Sequence, residues 1–162
     1  MADAPAKALT WLTIAVLLGA CSSGYHPTAP PTLAVTRAFI AKIVQLAQAR
    51  EFDKLCQLGG GNCERILASA GADKVPPDAP TIARIYAVPS VVHADGSWSQ
   101  GGQMVEMCGI DGSGAAYQTQ MIVFRDPTQG VIAIEPIYWS GIGIRIDAEQ
   151  PVGPSTHPAF AC

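Results

Sequence analysis

Charge is scarce in this chain of 162 residues, and it is not clustered. Only 14% of the residues are Asp, Glu, Lys or Arg, and the formal net charge is −3. A nucleic-acid-binding domain needs a basic patch or stripe that neutralises phosphates, and the sequence contains none. The same lack removes any strong electrostatic attraction to an anionic membrane surface. Nucleic acid is therefore excluded as a partner, and attachment to a membrane needs another source.

The common motifs of catalysis and cofactor binding are also missing. No serine lies in the G-x-S-x-G pattern that exposes a nucleophile. The glycine-rich stretch GIDGSG at 109–114 lacks the lysine of a phosphate-binding loop and is better interpreted as a hairpin turn. Histidines and cysteines are too scattered to suggest a metal site. The sequence predicts no cofactor and no metal, and it favours a non-catalytic protein.

Long apolar runs are absent, and the most prominent apolar run is a short one near the amino terminus. Residues 8–20, ALTWLTIAVLLGA, carry no charge. At about 1.5 Å per residue, a helix of this length is too short for a bilayer core of about 30 Å. One lysine, Lys7, precedes the run, and small residues end it. This pattern is typical of the apolar region of a signal peptide.

The residues that end this run, Leu18-Gly19-Ala20-Cys21, resemble the lipobox of bacterial lipoproteins, in which a leucine and two small residues precede a cysteine. The resemblance implies cleavage before Cys21, a diacylglycerol thioether on its sulfur and an acyl chain on its amine. At about 0.8 kcal/mol per buried methylene, two or three acyl chains hold a protein stably on a membrane. Residues 1–20 are then a lipoprotein signal peptide, and the mature chain lies on the extracytoplasmic face of the cell membrane.

Two other interpretations of the amino terminus agree less well with its residues. An uncleaved signal anchor would need a longer apolar segment than residues 8–20 provide. An ordinary secretory signal would leave the cysteine at the cleavage point unexplained. After Cys21, residues 21–32 are rich in proline, serine and glycine and predict a flexible tether. Residues 33–162 have the length of a single domain.

The cysteine count agrees with an oxidising compartment. Assigning Cys21 of the five cysteines to lipid leaves four, an even number that argues for two disulfides. Three pairings are possible, and we favour Cys56–Cys63 and Cys108–Cys162. The first pair is bridged by QLGGGN, which turns easily, and even a loop this short contributes about 2–3 kcal/mol in the chain-entropy model. The second pair would fix the carboxy-terminal residue to the sheet.

Helical patterns come before strand patterns along the chain. Apolar residues at helical spacing predict a long amphipathic helix at 33–50, and EFDKLCQL and NCERIL predict two short helices around three glycines. Period-two patterns separated by turn residues then predict four to six strands. The predicted extended segments are TIARIYAV (81–88), VVHADGSW (91–98, a hairpin turning at Asp95-Gly96), QMVEMC (103–108), AYQTQMIVF (116–124), VIAIEPIYW (131–139) and IGIRI (142–146). Segregated helices and strands joined by tight turns indicate an α+β fold with an antiparallel sheet.

This layout resembles the cone-shaped fold of the nuclear-transport-factor-2-like superfamily and, secondarily, the helix-on-sheet arrangement of cystatins. The resemblance covers most of residues 33–147 and implies helices packed on a curved, cone-like sheet. AREFDKLCQLGGGNCERIL also resembles a cysteine-bracketed helical pair of exported actinobacterial lipoproteins. Some members of the superfamily are enzymes with a base and a proton relay inside the cone, and many are binding or accessory modules. Fold alone does not choose between these.

Two carboxylates are candidates for a polar group inside such a cone. Strand alternation would let Glu106 point inward, where burial would raise its pKa to a value suited to proton transfer. The alternative is that Glu106 faces solvent or pairs with Arg125 or Arg145. Glu135 precedes a proline, which predicts a bulge that re-aims its side chain, and the alternative is a solvated edge residue.

Aromatic residues in the strand half could line a ligand pocket, although such residues more often pack in the core. They are Trp98, Tyr117, Tyr138 and Trp139.

Together these observations predict a membrane-tethered, non-catalytic binding or accessory domain in the cell envelope. Its partners would be the membrane, through the lipid, and either an envelope protein or a small apolar ligand. The alternative is a cone-fold enzyme or a carrier of small apolar ligands, with Glu106 or Glu135 as the polar group in an apolar cavity.

Overall fold

The structure is a computed structural model that describes residues 28–95 and 98–141. Several predicted features lie outside these residues: the signal peptide, the lipid attachment at Cys21, most of the tether, the strand at 142–146 and the cysteine at 162. The Cys108–Cys162 pairing therefore stays a prediction.

Three helices precede the strands in the described part of the chain. The helices are α1 Leu33–Gln48, α2 Phe52–Cys56 and α3 Cys63–Ala70, followed by a 3-10 turn at Ala72–Lys74. The strands are β1 Thr81–Val88, β2 Val91–Val92, β3 Trp98–Ser99, β4 Gly102–Ile110, β5 Ala116–Asp126 and β6 Gly130–Ala133. The main sheet has the order β1-β4-β5-β6 with antiparallel neighbours, and β2 pairs with β3 in a separate hairpin. The α+β class predicted from the sequence is confirmed, with an open four-stranded sheet.

Helix α1 supplies most of the helical part of the core. The side chain of Thr32 caps its start by accepting a hydrogen bond from the amide of Val35 at 3.3 Å. Its buried face recurs every three or four residues and consists of Thr36, Phe39, Ile40, Ile43, Val44 and Ala47. Arg50 then takes a positive φ of 57°, which turns the chain toward α2.

The four-stranded sheet has two differently built faces. The helix face packs against α1, α2 and α3 through residues that include Val105, Met107, Met121 and Val123. The second face carries a smaller buried cluster of Val88, Met104 and Ile122, with Tyr86 and Phe124 packed against it. Strand β4 is buried on both faces from Gly102 to Cys108.

A bulge in β1 decides which side chains reach each face. The register with β4 shifts between Ile82 and Arg84. Because a bulge inserts one extra residue, Ile82 and Ile85 both pack against the helix-face core despite their odd spacing. Arg84 is left directly opposite Glu106 on the second face.

The predicted strand at 131–139 is only partly a strand in the structure. Strand β6 ends at Ala133, and the residues after it are not in a strand. The amide of Ala133 donates at 2.9 Å to the carbonyl of Leu58, in the segment after α2, and Gly59 forms a parallel bridge to Ala133. Pro136 then packs so closely on Gly59 that a Cβ there would lie 2.4 Å from the proline Cδ. Beyond this point the chain turns and buries Ile137, Tyr138 and Trp139 in the core.

The disulfide between Cys56 and Cys63 joins α2 to α3, with a Cα–Cα distance of 5.3 Å. This pairing, predicted from the spacing and the intervening glycines, is confirmed. Cys63 is buried in the helix-face core and Cys56 packs against it. The bridge therefore fixes the two short helices to each other on one side of the sheet.

The end of the predicted tether lies against the sheet. The hydroxyl of Thr28 donates to the carbonyl of Arg125 at 2.9 Å and accepts from Nε2 of Gln100 at 3.0 Å. Nε2 of Gln103 donates to the carbonyl of Pro31 at 3.1 Å, and Pro31 is fully buried. Residues 28–32 are thus held by side-chain hydrogen bonds before α1 begins.

Candidate functional site

Glu106 lies at the middle of β4 on the second face of the sheet. Its direct cross-strand neighbours are Arg84 on β1 and Gln120 on β5. The residue is only 2% exposed. Alternation places it on the same face as Met104, as the strand pattern predicts, and this is the face opposite the helices.

The carboxylate of Glu106 accepts hydrogen bonds from three side chains. Arg84 binds it with both prongs of its guanidinium, at 2.9 Å from Nε to Oε2 and 3.0 Å from an Nη atom to Oε1. Oε1 also accepts from Nε2 of Gln120 at 3.1 Å and from the hydroxyl of Tyr86 at 3.3 Å. The Arg84 guanidinium lies over the Tyr86 ring, 4.6 Å from its centroid. These four residues are called the Glu106 cluster below.

The electrostatics of the cluster keep Glu106 charged. The hydrogen bond from Arg84 is the largest influence and lowers the pKa of Glu106, while burial opposes it and the bond from Gln120 adds to the lowering. The hydrogen bond to Glu106 also raises the pKa of Arg84. The pKa of Tyr86 is raised mainly by burial and, to a smaller extent, by the negative charge of Glu106. The expectation of a raised pKa for Glu106 is therefore wrong.

The lowered pKa of Glu106 limits what the Glu106 cluster can do chemically. A general base works best with a pKa near the working pH and with an oxygen directed at its substrate. Glu106 has neither property, since both of its oxygens are engaged and its charge is stabilised. A bidentate arginine–carboxylate pair instead orients side chains and links adjacent strands.

The sequence suggests Arg125 and Arg145 as possible partners for Glu106, whereas its partners in the structure are Arg84, Tyr86 and Gln120. Arg84 and Tyr86 are two residues apart in TIARIYAV, which places both on one face of a strand. The sequence therefore indicates that Arg84 and Tyr86 share a face. Which residue of the neighbouring strand lies opposite them depends on the strand register, which the sequence does not show.

Glu135 lies just beyond β6 and is half-buried. Burial raises its pKa, and the charge of Arg65 partly offsets this effect. It is not at a strand bulge, because β6 has already ended at Ala133. Strand β5 separates β6 from β4, so the structure does not bring Glu135 and Glu106 to one site.

Three of the predicted aromatic candidates are core residues. Tyr117, Tyr138 and Trp139 are buried in the helix-face cluster, where the Tyr138 and Trp139 rings meet edge to face at 5.1 Å. Trp139 donates from Nε1 to the carbonyl of Gly71 at 3.1 Å. Burial raises the pKa of Tyr138 to about 12 and raises that of Tyr117 further. Both hydroxyls stay protonated at neutral pH.

The candidate binding surface is an open groove of about 540 Å³ between α1 and the start of β1, called the α1 groove below. Ile40, Val44 and Ile82 form its apolar part, and Arg37 and Gln45 are among its polar residues. A second groove, of about 640 Å³, lies between residues 28–30 and residues 87–90. Neither groove is lined by Glu106 or Glu135. The buried carboxylate and the apolar grooves are therefore separate features.

Within the described ranges, no group of three or more His, Cys, Asp or Glu residues is placed to hold a metal ion. In the same part of the chain, no helix is both long enough and apolar enough to span a membrane.

Comparisons with protein-family models, with curated proteins and with solved structures find no match for this chain. The lipobox at residues 18–21 and the nuclear-transport-factor-2-like layout therefore stay predictions from the sequence.

Proposed function

We propose that this chain is an exported lipoprotein, anchored to the extracytoplasmic face of the cell membrane through acyl chains on Cys21, whose domain acts by binding. The observation that carries the proposal is the disulfide between Cys56 and Cys63. Disulfides persist in oxidising compartments and are rare in the cytosol. A bridged pair in a chain that begins with a lipobox-like signal supports export.

The preference for binding over catalysis depends on the Glu106 cluster. Glu106 is a strong candidate for an internal base because it is a buried carboxylate, yet Arg84, Tyr86 and Gln120 occupy its oxygens. Its lowered pKa also makes it a weak base. An enzyme built on this carboxylate is therefore not proposed.

The α1 groove is the surface that we propose for the ligand. Its apolar floor and polar rim suit a small apolar ligand or an apolar side chain of an envelope protein. We also propose a cone-like curvature for the sheet, as in the nuclear-transport-factor-2-like superfamily. The bulge between Ile82 and Arg84 supports it, because bulges bend a strand and increase its twist.

The anchor is tested by mass spectrometry of the mature protein purified from its host, together with fractionation of a Cys21→Ala variant. We expect an amino-terminal peptide that begins at Cys21 and carries lipid, and we expect Cys21→Ala to lose membrane retention. The matched control is Ser22→Ala, which should stay on the membrane. An intact amino terminus upstream of Cys21 would contradict the proposal.

The groove is tested separately with the fluorescent probe 1-anilinonaphthalene-8-sulfonate. Ala41 lines the α1 groove and is exposed, so Ala41→Trp should fill the groove without disturbing the core. Ala38 is also exposed on α1 but does not line the groove, so Ala38→Trp is the control. Probe binding should weaken several-fold, on the order of 1 kcal/mol, in the first variant only. Equal probe binding by both variants would exclude the groove.

A further inference from the structure

One end of the four-stranded sheet receives the chain that comes from Cys21. The pairings Val88 with Gly102 and Asp126 with Gly130 place the end of β1, the start of β4, the end of β5 and the start of β6 together. We call this the tether end. Thr28 is fixed there by its hydrogen bonds to the carbonyl of Arg125 and to Gln100.

The length of chain before Thr28 limits how far this end can stand from a bilayer. About seven residues link Cys21 to Thr28, and a fully extended chain of that length spans at most about 25 Å. If Cys21 carries the lipid, the tether end lies within that distance of the headgroups.

Exposed aliphatic side chains are concentrated near the same end. Among the described residues, five large apolar side chains are exposed: Leu33, Val91, Val92, Ile110 and Ile134. Leu33 begins α1, directly after the tether, and Val91 and Val92 follow β1. Ile110 ends β4 at the opposite end of the sheet. Ile134 follows β6 and lies nearer the tether end, because its amide donates to the carbonyl of Ile122, which pairs with Met104 near the start of β4. Single exposed aliphatic residues are ordinary on a protein surface. Three of them near the tether give this end of the domain more exposed apolar surface than a scattered distribution would.

Strand β2 projects from the body of the domain. Val91 is 37% exposed and Val92 is 59% exposed. Because successive side chains of a strand point to opposite faces, exposure of both means that each face of β2 is at least partly open to solvent. The base of this hairpin is tightly fixed, since the Gly101 amide donates to the Ser90 hydroxyl at 2.9 Å and a Cβ on Gly101 would lie 2.4 Å from the Ser90 nitrogen.

We propose that the tether end is a membrane-contacting surface in which Leu33, Val91 and Val92 enter the membrane–water interface beside the lipid anchor. The proposal rests on the proposed attachment of lipid to Cys21. Charges of both signs lie at this end, including Arg125, Asp126 and Asp95. The Asp126 carboxylate already accepts from the Thr128 and Gln129 amides. Because charges of both signs lie together there, the proposed contact depends on the exposed side chains of Leu33, Val91 and Val92 and should change little with salt.

The test is site-specific photocrosslinking in vesicles. The mature chain, residues 21–162, is joined through the Cys21 thiol to a maleimide-headgroup lipid in phosphatidylcholine vesicles, so its attachment does not depend on processing in the host. Benzoylphenylalanine replaces Val92 in one sample and Ile110 in the other. These positions are 59% and 54% exposed, and they lie at opposite ends of the domain. Flotation confirms attachment, and mass spectrometry counts the phospholipid adducts.

We expect at least about tenfold more phospholipid adduct from position 92 than from position 110, because an interfacial segment reaches about 5–10 Å into the headgroup region. Equal yields, a higher yield at position 110, or adducts only between protein copies would overturn the proposal. Absence of lipid adducts at both positions would overturn it as well. If the host does not process Cys21, the proposed lipid anchor is rejected, but the crosslinking result is unaffected because the chain is attached chemically. Failure of the anchor and failure of the membrane-contacting surface are therefore distinguishable.

Discussion

The two faces of the four-stranded sheet differ in how they are held together. On the helix face, side chains such as Val105 and Met107 pack into one large apolar cluster with α1, α2 and α3. On the second face, a small apolar cluster around Met104 lies beside a buried charge at Glu106. The first arrangement is non-directional and depends on packed area. The second depends on a few hydrogen bonds whose loss would leave a buried carboxylate unpaired.

The largest expected difference comes from two methionines on the same strand. Met107 and Met104 are both 0% exposed, on the helix face and the second face respectively. Met107→Ala should lower the free energy of unfolding by about 3–5 kcal/mol, and Met104→Ala by about 2–3 kcal/mol. The smaller cluster includes the partly exposed Tyr86 and Phe124, which can move to fill the space. Urea unfolding measures both changes, and a larger loss for Met104→Ala would reverse the comparison.

The disulfide provides the next effect, and it should act on the helix face alone. The double variant Cys56→Ser/Cys63→Ser should lose about 2–3 kcal/mol of stability, because the closed loop is short and constrains the unfolded chain only moderately. Thermal unfolding without reductant measures it, with the exposed Ser69→Ala on α3 as the control. A double variant as stable as the wild type would show that the bridge does not stabilise the helices.

The smallest expected effect concerns the charge on the second face. Glu106→Gln keeps the size of the side chain and removes its charge, and it should cost about 1 kcal/mol at pH 7 because solvent screens the exposed guanidinium of Arg84. The folded-state pKa of Glu106 is lowered from 4.5, so its stabilising contribution is present above that value and is lost as the pH falls through the lower pKa.

The wild type should therefore lose stability more steeply than Glu106→Gln as the pH falls below about 4.5. Asp111 and Asp126 also have lowered pKa values, from hydrogen bonds within their own turns, and both remain in each protein. Unfolding free energies measured from pH 7 down to pH 3 give the two slopes. Parallel slopes would mean that Glu106 is not specially stabilised as a carboxylate.

How much was predictable from the sequence differs between the same two faces. Turn residues and period-two patterns predicted the α+β class, and β1 has the predicted bounds of 81–88. The spacing of Cys56 and Cys63 around a glycine turn predicted their bridge, since residues so close in sequence meet easily. These features are local, so the chain itself carries the signal.

The Glu106 cluster was not predictable because it is non-local. Its members come from three strands, and Arg84 faces Glu106 only because a bulge shifts the register after Ile82. The parallel bridge on the outer edge of β6 has a similar origin, since the amide of Ala133 donates to the carbonyl of Leu58, far away in sequence. Period-two alternation assigns side chains to faces, but it does not mark the position of a bulge that shifts the register.

The central claim is that Glu106 is charged at neutral pH, holds neighbouring strands together and does not act as an internal base. Carbon-13 NMR of its side-chain carboxyl during a pH titration tests this most directly, with Glu135 as an internal comparison. The account predicts that Glu106 titrates below 4.5 and that Glu135, whose pKa burial raises, titrates above 4.5. A Glu106 carboxyl that takes up its proton near neutral pH would contradict the claim and would favour an enzyme or a ligand carrier built on that residue.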